Sequence, residues 1–134
     1  MKKLSFLLVM LLSVAGAFAQ TKSLEFKDTK HSFGKISQHT PVTYIFNFKN
    51  IAAKPIVIES AVAECGCTTP VYPKGVIAKG ASNTVKVTYN AEAMGAFTKR
   101  VTVKLANVAE PIVLTIDGEV IDGKTAATEK PVKS

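Results

Sequence analysis

From residue 24 onward the chain repeats one pattern: short runs in which apolar and polar side chains alternate, cut roughly every 8–12 residues by Gly, Pro or Asn. A period of two sends successive side chains to opposite faces of an extended strand. The clearest run spans residues 42–50. Val42, Tyr44, Phe46 and Phe48 share one face, and Thr43, Asn47 and Lys49 share the other, with Ile45 as the exception. Pro41 precedes it, where no ladder N–H is required. Residues 84–89 alternate in the same way, with Val85, Val87 and Tyr89 inward. So do residues 97–105, with Val101, Val103 and Leu105 inward, and residues 112–120, with Ile112, Leu114, Ile116 and Val120 inward. Gly118 interrupts the last face, which predicts a bulge or a close backbone approach.

Weaker strand signals lie between these runs. Leu24 and Phe26 open a first short strand, and residues 31–36 read as an edge or bulged segment around Gly34. Residues 56–63 form another strand after Pro55. Residues 68–81 read as a loop, because Pro70, Pro73, Gly75 and Gly80 interrupt them, with only Val76 and Ile77 strand-like inside. No stretch carries a helical period of ordinary length. One-sided alternation implies antiparallel sheets with one wet face. Two such sheets hide their apolar faces against each other as a sandwich. The expected fold is therefore all-β, an immunoglobulin-like antiparallel β-sandwich of about seven strands. The chain has no Trp, and its two Cys are not widely spaced, so it is not an antibody-type member. Phe46, Val87, Val103 and Leu114 are expected in the core, with Tyr44, Phe48, Tyr89 and Phe97 as further anchors.

The first 19 residues read as a signal peptide rather than part of this domain. Lys2 and Lys3 form a basic start, residues 4–14 an apolar core, and Ala17-Phe18-Ala19 a cleavage site that leaves Gln20 first. The positive mean hydropathy of +0.21 belongs mostly to that leader. No other run approaches the roughly 18 apolar residues of a membrane span, so none is expected. No Cys follows the cleavage site to carry a lipid anchor. The domain is expected over residues 20–121, followed by a disordered polar tail over residues 122–134. Localisation is expected to be periplasmic or extracellular.

The formal net charge is +7, and Arg100 is the sole arginine. Nucleic-acid binders cluster basic residues and lean on Arg forks. Here Lys27, Lys49, Lys86, Lys99 and Lys104 are spread one per segment. They read as a solubilising surface that guards strand edges, so no nucleic-acid partner is expected.

Cys65 and Cys67 are the only chemically distinctive pair. In a straight strand their Cα atoms would stand about 6.6 Å apart with parallel side chains, too splayed for a bond. Gly66 permits the turn that a disulfide would need. An exported protein meets oxidant, so a Cys65–Cys67 disulfide is one reading. It closes a three-residue loop, worth about 1.6 kcal/mol in the chain-entropy model. A second reading is a thiolate pair for Zn²⁺ or Cu⁺. Zinc wants about four ligands, and the only histidines to add are His31 and His39, both more simply surface residues. Thiol exchange, or a bond to another chain, is the third. The spacing is not the C-x-x-C of thioredoxin-type proteins. No nucleophile elbow, triad spacing or phosphate loop is present, so no catalytic residues and no cofactor are expected.

The order of features resembles one known bacterial family. Glu64-Cys65-Gly66-Cys67-Thr68-Thr69-Pro70 is followed by a Pro/Gly loop and then Tyr89-Asn90, Gly95-Ala96-Phe97 and a closing Leu114-Thr115-Ile116-Asp117-Gly118-Glu119-Val120. The chain is similar over residues 26–120 to the family called domain of unknown function 1573. The resemblance implies an immunoglobulin-like sandwich akin to hydin and major sperm protein domains, and an exported bacterial location. It implies no activity. The functional expectation is a non-catalytic binding or scaffolding module of the cell envelope that meets another protein or a second copy through an edge strand. The alternative is a thiol-based metal-binding or redox protein using the Cys-Gly-Cys pair.

Overall fold

The alternation is realised as eight strands. The computed structural model describes residues 22–126, and the predicted leader lies outside them. In chain order the strands are β1 (Leu24–Phe26), β2 (Lys30–Ser37), β3 (Val42–Asn50), β4 (Ile58–Ala63), β5 (Thr68–Val71), β6 (Ser82–Tyr89), β7 (Gly95–Leu105) and β8 (Ile112–Ile121). One helical turn, α1 (Gly123–Ala126), follows at the start of the expected polar tail, whose residues 127–134 lie outside the described part. The strands form two four-stranded sheets, β1-β3-β6-β5 and β2-β8-β7-β4.

The inward residues of the two sheets meet as expected of a sandwich. Phe46, Val85 and Val87 of the first sheet, and Val101, Val103, Leu105, Leu114, Ile116 and Val120 of the second, are all buried. Phe46, Val87 and Val103 are fully excluded from solvent, and Leu114 almost so. Ile45, the exception to the alternation, lies on the wet outer face at 45% exposure.

Two sequence expectations need correction. The sandwich is not wholly antiparallel: β2 runs parallel to β8, from the pair Lys30↔Thr115 to Ser37↔Ile121. Alternation reports which face a side chain takes and says nothing about the direction of the neighbouring strand. The count is eight rather than about seven, because residues 68–71 form β5 instead of the start of a loop. Asn90 N–H donates to the Cys67 carbonyl at 3.0 Å, and Thr68 pairs with Tyr89. This register turns the polar backbone groups of odd-numbered residues toward β6, so the nitrogen of Pro70 faces away from the ladder. Proline is tolerated at that place in an edge strand. Farther along, Ile77 makes an isolated bridge to Ile56 and is buried.

The predicted irregularity at residues 31–36 is a register shift between Ser32 and Lys35. Gly34 sits there at φ +67°, a left-handed conformation that glycine adopts without strain. The close approach predicted at Gly118 is also present. A Cβ on Gly118 would lie 2.7 Å from the Gly34 carbonyl oxygen and 2.9 Å from the Phe97 ring.

Candidate functional site

Two features of the sandwich carry chemistry, and they lie on opposite sides of it. The first is the Cys-Gly-Cys turn. β4 is an edge of one sheet and β5 is an edge of the other, so the chain crosses between sheets at residues 64–67. The Cα atoms of Cys65 and Cys67 are 5.3 Å apart and their sulfur atoms are in contact. That separation lies within the usual range for bridged cysteines. It is shorter than a straight strand allows, because the backbone turns at Gly66. Both cysteines are half-buried, and Cys67 packs against the core. The Thr68 side chain is buried, with its Oγ1 3.7 Å from Cys67 Sγ and 3.9 Å from Cys65 Sγ. Arg100 Nε meets the carboxylate of Glu64 at 2.7 Å beside the turn.

The second feature is the side of the sandwich formed by β1, β2 and β3. β1 covers only one end of β3. Ile51 N–H donates to the Ser23 carbonyl, and Lys27 N–H donates to the Asn47 carbonyl. These bonds turn the backbone groups of odd-numbered β3 residues toward the β1 side. Beyond Phe26 no described strand runs beside β3, so the N–H groups of Thr43 and Ile45 face an open edge, while the Ile45 carbonyl accepts from Asn47 Nδ2 at 3.4 Å. β2 is the edge of the other sheet. Thr115 N–H donates to the Thr29 carbonyl, which turns the N–H groups of Lys30 and Ser32 away from β8.

Aromatic rings line the gap between these two edges. His31 stacks on Tyr44 with ring centroids 3.7 Å apart, Phe33 meets His31 edge-on, and Tyr44 meets Phe46 edge-on. His31, Phe33 and Tyr44 are all half-buried. Tyr44 Oη donates to Asp28 Oδ2 at 3.2 Å. Burial, then the charge of Asp28, then that hydrogen bond hold the Tyr44 pKa above its usual 10.0. Burial lowers the pKa of His31 below its usual 6.5, against the opposing charges of Asp117 and Asp28.

The candidate ligands do not form one cluster. His31 is on β2, and the cysteine turn follows β4, at the other edge of the same sheet. Three strand spacings separate those edges, about 14 Å. His39 is exposed in the turn after β2, at φ 62°. Its N–H donates to the Ala91 carbonyl, next to the residue that bonds Cys67, so it lies at the cysteine end of the sandwich. Among the described residues no three His, Cys, Asp or Glu side chains gather as a metal-holding group.

Sequence reasoning missed Asn50, a fully buried polar residue at the inner end of β3. Its Nδ2 lies 3.1 Å from the Lys54 carbonyl, 3.0 Å from that of Ile77 and 3.3 Å from that of Ala78, while its Oδ1 accepts from Ala52 N–H at 2.9 Å. The side chain thus pins the loop after β3 to the loop before β6. The signal was available, since Asn50 continues the inward series 42, 44, 46 and 48.

Comparison with known proteins gives the fold a context. No curated protein matches the sequence. Among solved structures, a protein of unknown function from Porphyromonas gingivalis W83 matches with a TM-score of 0.62 and 16% identity, over 72% of this chain and 46% of that one. The chain therefore spans less than half of that protein. The human CEP192 ASH/PapD-like domain 7 matches with a TM-score of 0.62 and 10% identity, over 75% of this chain and 87% of that domain. SSP-19, an MSP-domain protein like family member of Caenorhabditis elegans, matches with a TM-score of 0.51 and 14% identity, over 64% of this chain and 92% of that one. Two Vibrio cholerae proteases, VesB and VesC, also match, although the chain covers only 32% and 26% of them. At these identities the likenesses establish the immunoglobulin-like sandwich and nothing finer. The family model described as protein of unknown function (DUF1573) matches residues 24–120, nearly the whole sandwich, and the chain belongs to that family.

Proposed function

We propose that this domain is a non-catalytic binding or scaffolding module of the bacterial cell envelope, exported by its leader, that takes a strand from another protein or from a second copy along the β2/β3 side. The observation that carries this reading is the open edge itself. Backbone groups of Lys30 and Ser32 on one sheet, and of Thr43 and Ile45 on the other, flank the His31, Phe33 and Tyr44 rings. An unpaired edge is a template for strand addition, and pockets beside it select the incoming side chains. Export rests on the sequence of residues 1–19, and intact mass of the envelope protein should give a chain beginning at Gln20.

Proline substitution tests the edge. Ser32→Pro and Ile45→Pro each remove an N–H that faces outward and leave the ladders to β8 and β6 intact. The expected result is an unchanged melting midpoint together with loss of self-association, or of whichever envelope protein co-purifies. Association that survives both substitutions in folded protein refutes the edge. Peptide cleavage by purified protein, lost on substitution of a single residue, would refute the non-catalytic reading.

A further inference from the structure

We infer that Cys65 and Cys67 form a thiol–disulfide exchange site for an external dithiol, with Cys65 as the sulfur attacked and Cys67 as the leaving thiolate. The inference does not depend on the β2/β3 edge.

A bond between these sulfurs spans a three-residue turn and joins nothing that the chain does not already join. The strands on either side are held without it. Glu64 N–H donates to the Arg100 carbonyl at 3.1 Å, and the Cys67 carbonyl accepts from Asn90 N–H at 3.0 Å. The bond can therefore open and close in the folded domain. A part-exposed disulfide that staples nothing is of the labile kind, whereas structural disulfides resist reduction.

The two sulfurs are not equivalent. Cys67 packs against the hydrophobic core, while Cys65 is not part of that packing. Thr68, which is buried and adjoins Cys67 in the chain, holds its Oγ1 within reach of both sulfurs, 3.7 Å from Cys67 Sγ and 3.9 Å from Cys65 Sγ. A hydroxyl there donates to a thiolate and stabilises it as a leaving group. The carboxylate of Glu64, next to Cys65, is engaged by Arg100, so it does not simply repel an incoming thiolate.

Exchange takes two displacements at sulfur. A thiolate of the external dithiol attacks Cys65 Sγ and forms a mixed disulfide. The Cys65–Cys67 bond breaks, and its electron pair leaves on Cys67 Sγ, which then takes a proton from water. The second thiol of the dithiol, deprotonated, displaces Cys65 from the mixed disulfide. The external dithiol is oxidised to a disulfide, and Cys65 and Cys67 are reduced to two thiols. Run in reverse, the site oxidises itself and reduces the partner.

The test uses the protein as isolated from its native cells. Reduced glutathione is the probe because, as a monothiol, it carries no second thiol to resolve the mixed disulfide from within, so an early quench that alkylates the freed thiol traps it. After rapid quenching with N-ethylmaleimide, peptide mapping locates each label. We expect glutathione on Cys65 and maleimide on Cys67, with a preference of about tenfold over the reverse, in protein that remains folded. Thr68→Val should slow the exchange about tenfold and raise the Cys67 thiol pKa, and Thr68→Ser should restore both. Reduction only in urea that unfolds the domain overturns the inference. So does equal labelling of the two sulfurs, or a pair of free thiols that oxidised glutathione does not close into the Cys65–Cys67 bond. The mapping on unaltered protein stands even if Thr68→Val does not fold.

Discussion

Asn50→Ala gives the sharpest test of how the sandwich is held together. The side chain is 1% exposed and sits where the loop after β3 meets the loop before β6. An amide nitrogen has two hydrogens, so the Ile77 carbonyl at 3.0 Å and the Lys54 carbonyl at 3.1 Å are its main acceptors, while Oδ1 holds Ala52 N–H at 2.9 Å. Truncation orphans the Lys54 carbonyl and Ala52 N–H and removes one of two donors from the Ile77 carbonyl, which still accepts from Ile56 N–H at 2.9 Å. Each orphan left dry costs about 1–3 kcal/mol. The Lys54 and Ala52 bonds are only part-buried, so water relieves those two groups in part, while the buried Ile77 carbonyl loses its second donor. The expected loss is therefore about 2 kcal/mol, toward the lower end of a twofold sum. That is a large share of the roughly 5–15 kcal/mol of a domain this size. Asn50→Asp should cost more at neutral pH, because it places a carboxylate against carbonyl oxygens. Its folded pKa is then raised, so the variant should regain stability as pH falls toward the ordinary carboxylate range, where the carboxyl protonates and can donate. The chain has three Tyr and no Trp, so urea unfolding is followed by far-ultraviolet circular dichroism with tyrosine fluorescence. A loss below about 1 kcal/mol for the alanine variant, or an aspartate variant that weakens further on acidification, refutes the reasoning.

Three further outcomes follow from the same geometry. Gly118→Ala drives a Cβ to 2.7 Å from the Gly34 carbonyl oxygen and should cost at least about 2 kcal/mol in urea unfolding; a loss below about 0.5 kcal/mol would show that β2 yields freely. The double variant Cys65→Ser, Cys67→Ser should cost at most about 1–2 kcal/mol, because the loop is three residues long, and a larger loss would make the pair a staple of the fold. Because the pKa of His31 is lowered in the fold, the unfolded chain binds more protons as pH drops below the usual 6.5. The stability that His31 contributes should be present above that pH and decline as pH falls through the lower folded value. Nuclear magnetic resonance titration of the imidazole checks the direction, and a midpoint above 6.5 contradicts it.

The faces of the strands were legible and their neighbours were not. Alternation placed Phe46, Val87, Val103 and Leu114 correctly, because burial on one side is what alternation records. Gly118 was legible for the same reason: a glycine in the inward phase marks a place where another group takes the room of a side chain. Residues 68–71 were misread because Pro70 was judged as a break, when the Asn90 to Cys67 bond turns its missing N–H outward. The parallel pairing of β2 with β8 joins segments about eighty residues apart, and no local pattern encodes such a partner. The His31–Tyr44 stack was hidden with it, since those rings meet only once β2 and β3 stand on adjacent edges of opposite sheets. The turn at the cysteines was anticipated from Gly66, whereas Thr68 beneath the sulfurs depended on β5 and went unseen.

Backbone amide exchange reads the open edge itself. In dilute isolated protein the N–H groups of Lys30, Ser32, Thr43 and Ile45 should exchange quickly, while their neighbours bonded to β8 and β6 stay protected. In concentrated protein, or with the co-purifying envelope protein added, at least two of the four should gain protection together. Slow exchange at all four in dilute protein, or protection that arises on the β4/β5 side instead, would contradict the account.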